Sequence, residues 1–418
     1  MDDGLVRKIL FDSAGAVEFL DPEAWRSALA RWQAEPLPAQ ALSWLIDFDE
    51  TELAHIEELA EKIRQQADAV VLLGVGGSQA GAKAIIEALR EPQKGPEIIY
   101  AGHNFSGHYL QNVLLSLAGK EIAVIAVSKS GNTAETLLAF GVFRQYMKER
   151  YGEGAKDRIY VISGYKTGAL GKLAQKAGYA QLSIPPQVGG RYSIFTSVAL
   201  LPIAAAGIDI RSFLAGGVAG MASYGGEQWS KNPCLQYALW RYSLYRQGYQ
   251  NELWVTWEPC LSFFGTWWRQ LFVESESKDG EGDYPVVAEY SNDLHYLGQY
   301  LKEGPRNIFE TVVWLAEAPL ILPLESNTAA IIGMEPEANW AFVNEQVMQK
   351  TREVHRQAGV PQLLITLPHL NAYHLGELAA FFAQACLVGA SLLGCDPLSQ
   401  PAVDTYKDQV RELLKKDK

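Results

Sequence analysis

Two rhythms of apolar residues alternate along this chain. The first is helical. In DPEAWRSALARWQAEP (residues 21–36) and FDETELAHIEELAEKIRQQ (48–66), apolar side chains recur three and four positions apart, which predicts amphipathic helices. Asp21, and Asp49 or Thr51, stand where N-caps belong. From residue 67 the rhythm changes. AVVLLGVGGS, EIIYAG, EIAVIAVSKSG and RIYVISG are apolar runs that end in glycine, with helical stretches between them. Strands that read as continuously apolar and alternate with helices predict a parallel sheet covered on both faces. A small-residue passage, GGVAGMASYGGEQ (216–228), interrupts the pattern, and then it restarts. A helix near Asn232–Gln247 leads to ELWVTW, a helix through Trp267–Leu271, TVVWL and QLLITLP. Two last helices follow, GELAAFFAQACLVGASLLG and AVDTYKDQVRELLKK. The organisation expected is a helical segment over 1–66, a first αβ unit over 67–215, and a second over 216–418 that carries the C-terminal helix.

Composition narrows the function classes. A chain of 418 residues with a net charge of −12 has no global attraction for nucleic acid or an anionic membrane. A phosphorylated substrate would have to be held by a few local Lys, Arg and backbone N–H groups. The apolar stretch Ile194–Ile208 contains Pro202 and is too short to span a bilayer. The acidic start, Met1 to Gly4, has no signal-like apolar core after it, so a cytoplasmic location is expected. Cys234, Cys260, Cys386 and Cys395 lack metal-type spacing and read as reduced thiols.

The candidate chemistry lies at the ends of the predicted strands. GVGGSQAG (74–81) joins a strand to a helix, where glycines let backbone N–H groups approach an anion. A plain tight turn has the same composition. A dinucleotide oxidoreductase is disfavoured, because Gly74-x-Gly76 is followed by Gln79 where that fingerprint needs glycine. SKSGNTAET (128–136) gathers Ser128, Lys129, Ser130 and Thr133 around a helix start. Capping explains part of this; three hydroxyls and a lysine favour phosphate. In VGGRYS (188–193), Arg191 is either an anion clamp or a structural arginine in a surface turn. ESESKDGEGD, from Glu274, predicts an exposed loop unless one glutamate faces a pocket. Taken alone, His295 reads as structural and Lys407 as solvated.

Together these segments resemble the glucose-6-phosphate isomerase family. Six motifs match in order over roughly residues 70–410: GVGGSQAGAKAIIEAL, SKSGNTAET, GGRYSIFTSVALLPIAAAGID, WWRQLFVESESKDGEG, DLHYLGQYLKEGPRNIFETV and LLGCDPLSQPAVDTYK. The resemblance implies two sugar-isomerase (SIS) αβα sandwich domains. It implies a phosphate loop of Ser128, Lys129, Ser130 and Thr133, with Gly77, Ser78, Gly190, Gln270 and Gln400 lining the site. It implies Glu274 as the base, with Glu276 as the fallback, Arg191 stabilising an enediolate, and His295 and Lys407 assisting ring opening. It also implies a homodimer in which His295 crosses to the neighbouring site, a sugar-phosphate substrate, and no metal or other cofactor. Asn132, Ala134, Ser399 and Ala402 depart from the usual family residues. Two related alternatives are a glucose/mannose-phosphate isomerase and a non-catalytic SIS sensor; retention of Glu274, His295 and Lys407 together disfavours the sensor.

Overall fold

The computed structural model describes residues 9–14, 22–34, 49–164, 168–224, 232–317, 320, 322–325, 327, 331, 333 and 339–413. Asp21, named above as a cap, lies outside them, as do residues 225–228 of the small-residue passage. Over the described residues the chain is α/β, with two five-stranded sheets. It opens with β1 (Leu10–Asp12), α1 (Pro22–Ala34) and α2 (Glu50–Gln66). Asp49 caps α2 by accepting a hydrogen bond from the Thr51 N–H at 2.9 Å.

The first sheet has the order β3-β2-β4-β5-β6, all parallel, from β2 (Ala69–Leu73), β3 (Glu97–Ala101), β4 (Ile122–Ser128), β5 (Ile159–Ser163) and β6 (Ala180–Ser183). Every residue of β2, β4 and β5 is buried, as strands covered on both faces must be. Its helices are α3 (Gly77–Leu89), α4 (Gly107–Ser116), α5 (Ala134–Tyr151) and α6 (Ala169–Ala177). A 3₁₀ turn, Gly190–Phe195, leads into α7 (Ser197–Ala205) and α8 (Ile210–Tyr224).

The second sheet has the order β1-β10-β9-β7-β8. Between α9 (Pro233–Arg246) and α14 (Pro401–Leu413) run β7 (Asn251–Thr256), α10 (Ser262–Glu276), β8 (Tyr284–Glu289), α11 (Leu294–Glu303), β9 (Ile308–Leu315), α12 (Trp340–Gln357), β10 (Gln362–Leu367) and α13 (Ala372–Leu393). The N-terminal segment thus contributes a short strand as well as helices, since β1 pairs antiparallel with β10. Alternation along the strands sorts side chains between layers. Val70 and Leu72 face the same core as Trp254 of the second sheet, while Val71 and Leu73 face a second buried cluster with Val113 of α4 and Phe140 and Phe143 of α5. One hydrophobic core therefore joins the two sheets. Residues 216–224 of the small-residue passage are part of that joint. A Cβ on Gly216 would lie 1.8 Å from the Tyr373 carbonyl oxygen, so α8 crosses α13 at backbone contact.

Candidate active site

The turn after β2 brings two glycine pairs together. A Cβ on Gly77 would stand 2.2 Å from both the carbonyl carbon and the oxygen of Gly190. The Ser193 hydroxyl ties the two segments, 2.7 Å from the Gly190 oxygen and 3.3 Å from that of Gly77. Gly76 has φ +54°, and a Cβ there would lie 2.9 Å from Gln270 Nε2. Ser78 follows, half-buried. Gly77, Ser78, Gly190, Arg191 and Gln270 thus converge at one end of the first sheet.

The loop after β4 folds on itself. Ser128 Oγ and Thr133 Oγ1 are 2.9 Å apart, and the Asn132 N–H donates to Ser130 Oγ at 3.1 Å. Thr133 occupies the N-cap of α5 but makes no capping hydrogen bond with its side chain. Capping therefore does not account for its hydroxyl, and the first-turn N–H groups of α5 keep their capacity for an anion. Asn132, one of the departures from the family pattern, braces the loop. Its Oδ1 accepts from the Ala169 N–H at 3.0 Å and its amide donates to the Ser130 oxygen at 3.1 Å.

Arg191 is completely buried, which overturns its description as a surface-turn arginine. Nε–H donates to Ser275 Oγ at 2.8 Å. One terminal nitrogen donates to Glu274 Oε2 at 3.1 Å and Gln400 Oε1 at 2.9 Å. The other donates to the carbonyls of Pro397 and Ser399. All five guanidinium donors are occupied. Trp267 Nε1–H fixes the Arg191 carbonyl at 3.1 Å.

Glu274 and Glu276 are not in a loop, as their sequence context suggests, but in the last turn of α10. The helix runs on because its polar residues find buried partners. Glu274 holds Arg191 through one oxygen and accepts from Gln270 Nε2 through the other at 2.7 Å. Glu276 turns away from this group and grips Arg241 at 2.9 and 3.1 Å, with Glu252 and Asp283 around the same guanidinium. The fallback base is thus sequestered in a separate buried cluster. Glu274 and Gln270 border an open cleft of about 530 Å³, which Gly76, Lys83, His103 and Tyr284 also line.

Lys129 lies close enough to Arg191 and Lys407 to interact with both. Burial holds Lys129 below the ordinary lysine value; Arg191 and Lys407 lower it further, against the pull of Asp404. Lys407 lies in α14, 3.7 Å from Asp404, and lines a crevice whose other wall is Thr133–Glu135. His295 stands apart. It lies exposed in the first turn of α11, and among the described residues its ring makes no hydrogen bond or ion pair with this group. Sequence reasoning missed Ser275 and Lys278. Lys278 donates to the carbonyls of Ser275 at 2.7 Å and Asp396 at 2.6 Å, pinning the loop that faces Arg191. Their adjacency to Glu274 was the available signal.

Comparison with known proteins gives this arrangement a context. The family model for phosphoglucose isomerase matches residues 53–309. Glucose-6-phosphate isomerase of Symbiobacterium thermophilum is 43% identical over 383 residues, covering 88% of this chain and 85% of that protein. That of Alkaliphilus metalliredigens is 40% identical over 390 residues, covering 90% and 87%. Among solved structures, a hypothetical protein from Thermus thermophilus superposes with a TM-score of 0.86 at 27% identity, over 97% of this chain and 99% of that one. A glucose-6-phosphate isomerase from Chlamydia trachomatis gives 0.80 at 16% identity, over 98% and 88%, and shares the fold.

Proposed function

The chain belongs to the phosphoglucose isomerase family, and from that premise we propose that it interconverts glucose 6-phosphate and fructose 6-phosphate through a cis-enediol. Aldose–ketose isomerisation needs an opened ring and a group that carries a proton between C2 and C1. Glu274 is that group. It is a carboxylate at the border of a cleft, with a guanidinium on one oxygen and an amide on the other. As the proton leaves C2, negative charge develops on the substrate oxygens, and Arg191 offers it a fixed, buried cation. The Ser128–Thr133 loop, Lys129 and the first turn of α5 take the phosphate, with Gly77, Ser78, Gly190, Gln270 and Gln400 lining the space between. Binding there orients the reacting carbons from a distance. Lys407 serves the ring oxygen together with His295, which comes from a second copy of the chain.

The observation that carries this reading is the contact of Glu274 with Arg191 at 3.1 Å across 83 residues of sequence. The test is Glu274→Gln, nearly isosteric and unable to act as a base. Turnover is expected to fall by about 10²–10⁴, while the variant still binds sugar phosphate. Normal turnover of the Glu274→Gln variant on glucose 6-phosphate, assayed alongside mannose 6-phosphate, would remove the role from Glu274.

A further inference from the structure

Glu274 and its neighbour Ser275 face two sides of the same arginine. Glu274 meets one terminal nitrogen, which it shares with Gln400. Ser275, fully buried, accepts from Nε–H at 2.8 Å on the opposite edge. Behind Ser275 lies a chain of neutral groups. Tyr192 Oη is 3.0 Å from Ser275 Oγ and 3.7 Å from Cys386 Sγ, and Cys386 Sγ is 3.5 Å from the Leu271 carbonyl. One assignment of protons satisfies every member: Ser275 donates to Tyr192, Tyr192 to Cys386, and Cys386 to Leu271. Burial pushes the Cys386 thiol up to about 12 and the Tyr192 phenol well up, so both stay neutral. The chain begins at Arg191 and ends on the backbone of α10, the helix that carries Glu274.

We propose that Ser275, held by Tyr192, is a positioning residue that locks the Arg191 guanidinium so that its Glu274-facing edge points at the base and the reacting oxygens. A guanidinium turns about its Cδ–Nε bond, and the Nε–H contact sits at the pivot. The carbonyls of Pro397 and Ser399 hold the far terminal nitrogen but belong to another loop. The pivot contact and Glu274 share one helix, so the distance between base and cation is set within a single rigid element. Without the Ser275 hydroxyl, the buried Nε–H loses its acceptor and the guanidinium turns away from Glu274. The charge that should meet the developing enediolate is then misplaced relative to Glu274.

This inference rests on the roles given above to Glu274 and Arg191. The experiment measures kcat and KM, per mole of folded enzyme, for Ser275→Ala and Tyr192→Phe, the second of which removes one hydroxyl and keeps the ring. In Ser275→Ala kcat should fall by about 10–100-fold, with KM changing far less. In Tyr192→Phe kcat should fall by less. A merely structural loss lowers Tm and the folded fraction and leaves kcat per folded enzyme unchanged. An unchanged kcat in both variants overturns the proposal, whatever happens to Tm. Glu274→Gln, run in parallel, separates the two levels. If it is inactive and kcat of the other two variants is unchanged, only the positioning role falls. If it is fully active, the base assignment falls and this inference with it.

Discussion

Two buried arginines are held in opposite ways. Arg191 spends its donors on one carboxylate and four neutral oxygens. Arg241 faces three carboxylates, Glu252, Glu276 and Asp283. One positive charge cannot balance three negative ones in a buried site, so protonation must make up the difference. Burial pushes the Asp283 carboxyl well up; Arg241 pulls it down, and Glu252 and Glu276 push it up again. Glu276 is raised for the same first reason, burial. A carboxyl raised in the folded state contributes stability that is present below its unfolded pKa, about 3.9, and lost as pH rises through the folded value. Asp283→Asn cannot ionise, so its Tm should fall less steeply than wild type as pH rises from 4 to 8. Parallel Tm curves would show that Asp283 is charged throughout. None of this was legible in ESESKDGEGD, where Glu274 and Glu276 look equivalent. Their separation depends on arginines 83 and 35 residues away. Arg191 was legible as an anion clamp only through its motif, because its partners lie at 274–275 and 397–400.

At the scale of elements, the strand-to-helix turns do most to place the site. Gly77 touches the Gly190 backbone, so a methyl there must move the segment that carries Arg191. Gly77→Ala should lower kcat/KM by at least about 10-fold, since misplacing a catalytic group by an ångström costs up to about 10². Gly141→Ala in α5, where a Cβ would meet nothing within 4 Å, is the control. Equal small losses in both would show that the turn adapts. Long apolar strands were plain in the sequence because both their faces are covered. β6 and β8 escaped notice: each has exposed or half-buried positions that break the apolar run. The glycines of GGVAGMASYGGEQ read as a domain boundary in sequence. In the fold Gly216 and Gly220 are spent on bringing α8 against α13, and Gly217 makes room for the Phe195 ring. α14 is helical, as its periodicity predicts, and none of its residues is buried, so it adds nothing to the core.

At the scale of the whole molecule, the unplaced residue is His295. It sits exposed at the start of α11, just beyond the edge strand β8 of the second sheet. If a second copy supplies it, His295→Ala chains and Glu274→Gln chains should complement when subunits exchange. Random pairing makes about half the dimers mixed, with one intact site in each, so recovery should approach about a quarter of wild-type activity. No recovery after verified exchange would leave each chain to complete its own site. Within one chain, the closing contacts of that site have a consequence for how its sequence can drift. Arg191 reaches the 397–399 stretch through the main-chain oxygens of Pro397 and Ser399. A carbonyl is the same in every residue. The path of this stretch is therefore constrained more than its spelling, since the Ser399 side chain is not what holds the arginine. Gln400, which meets Arg191 with its own amide oxygen, has no such freedom.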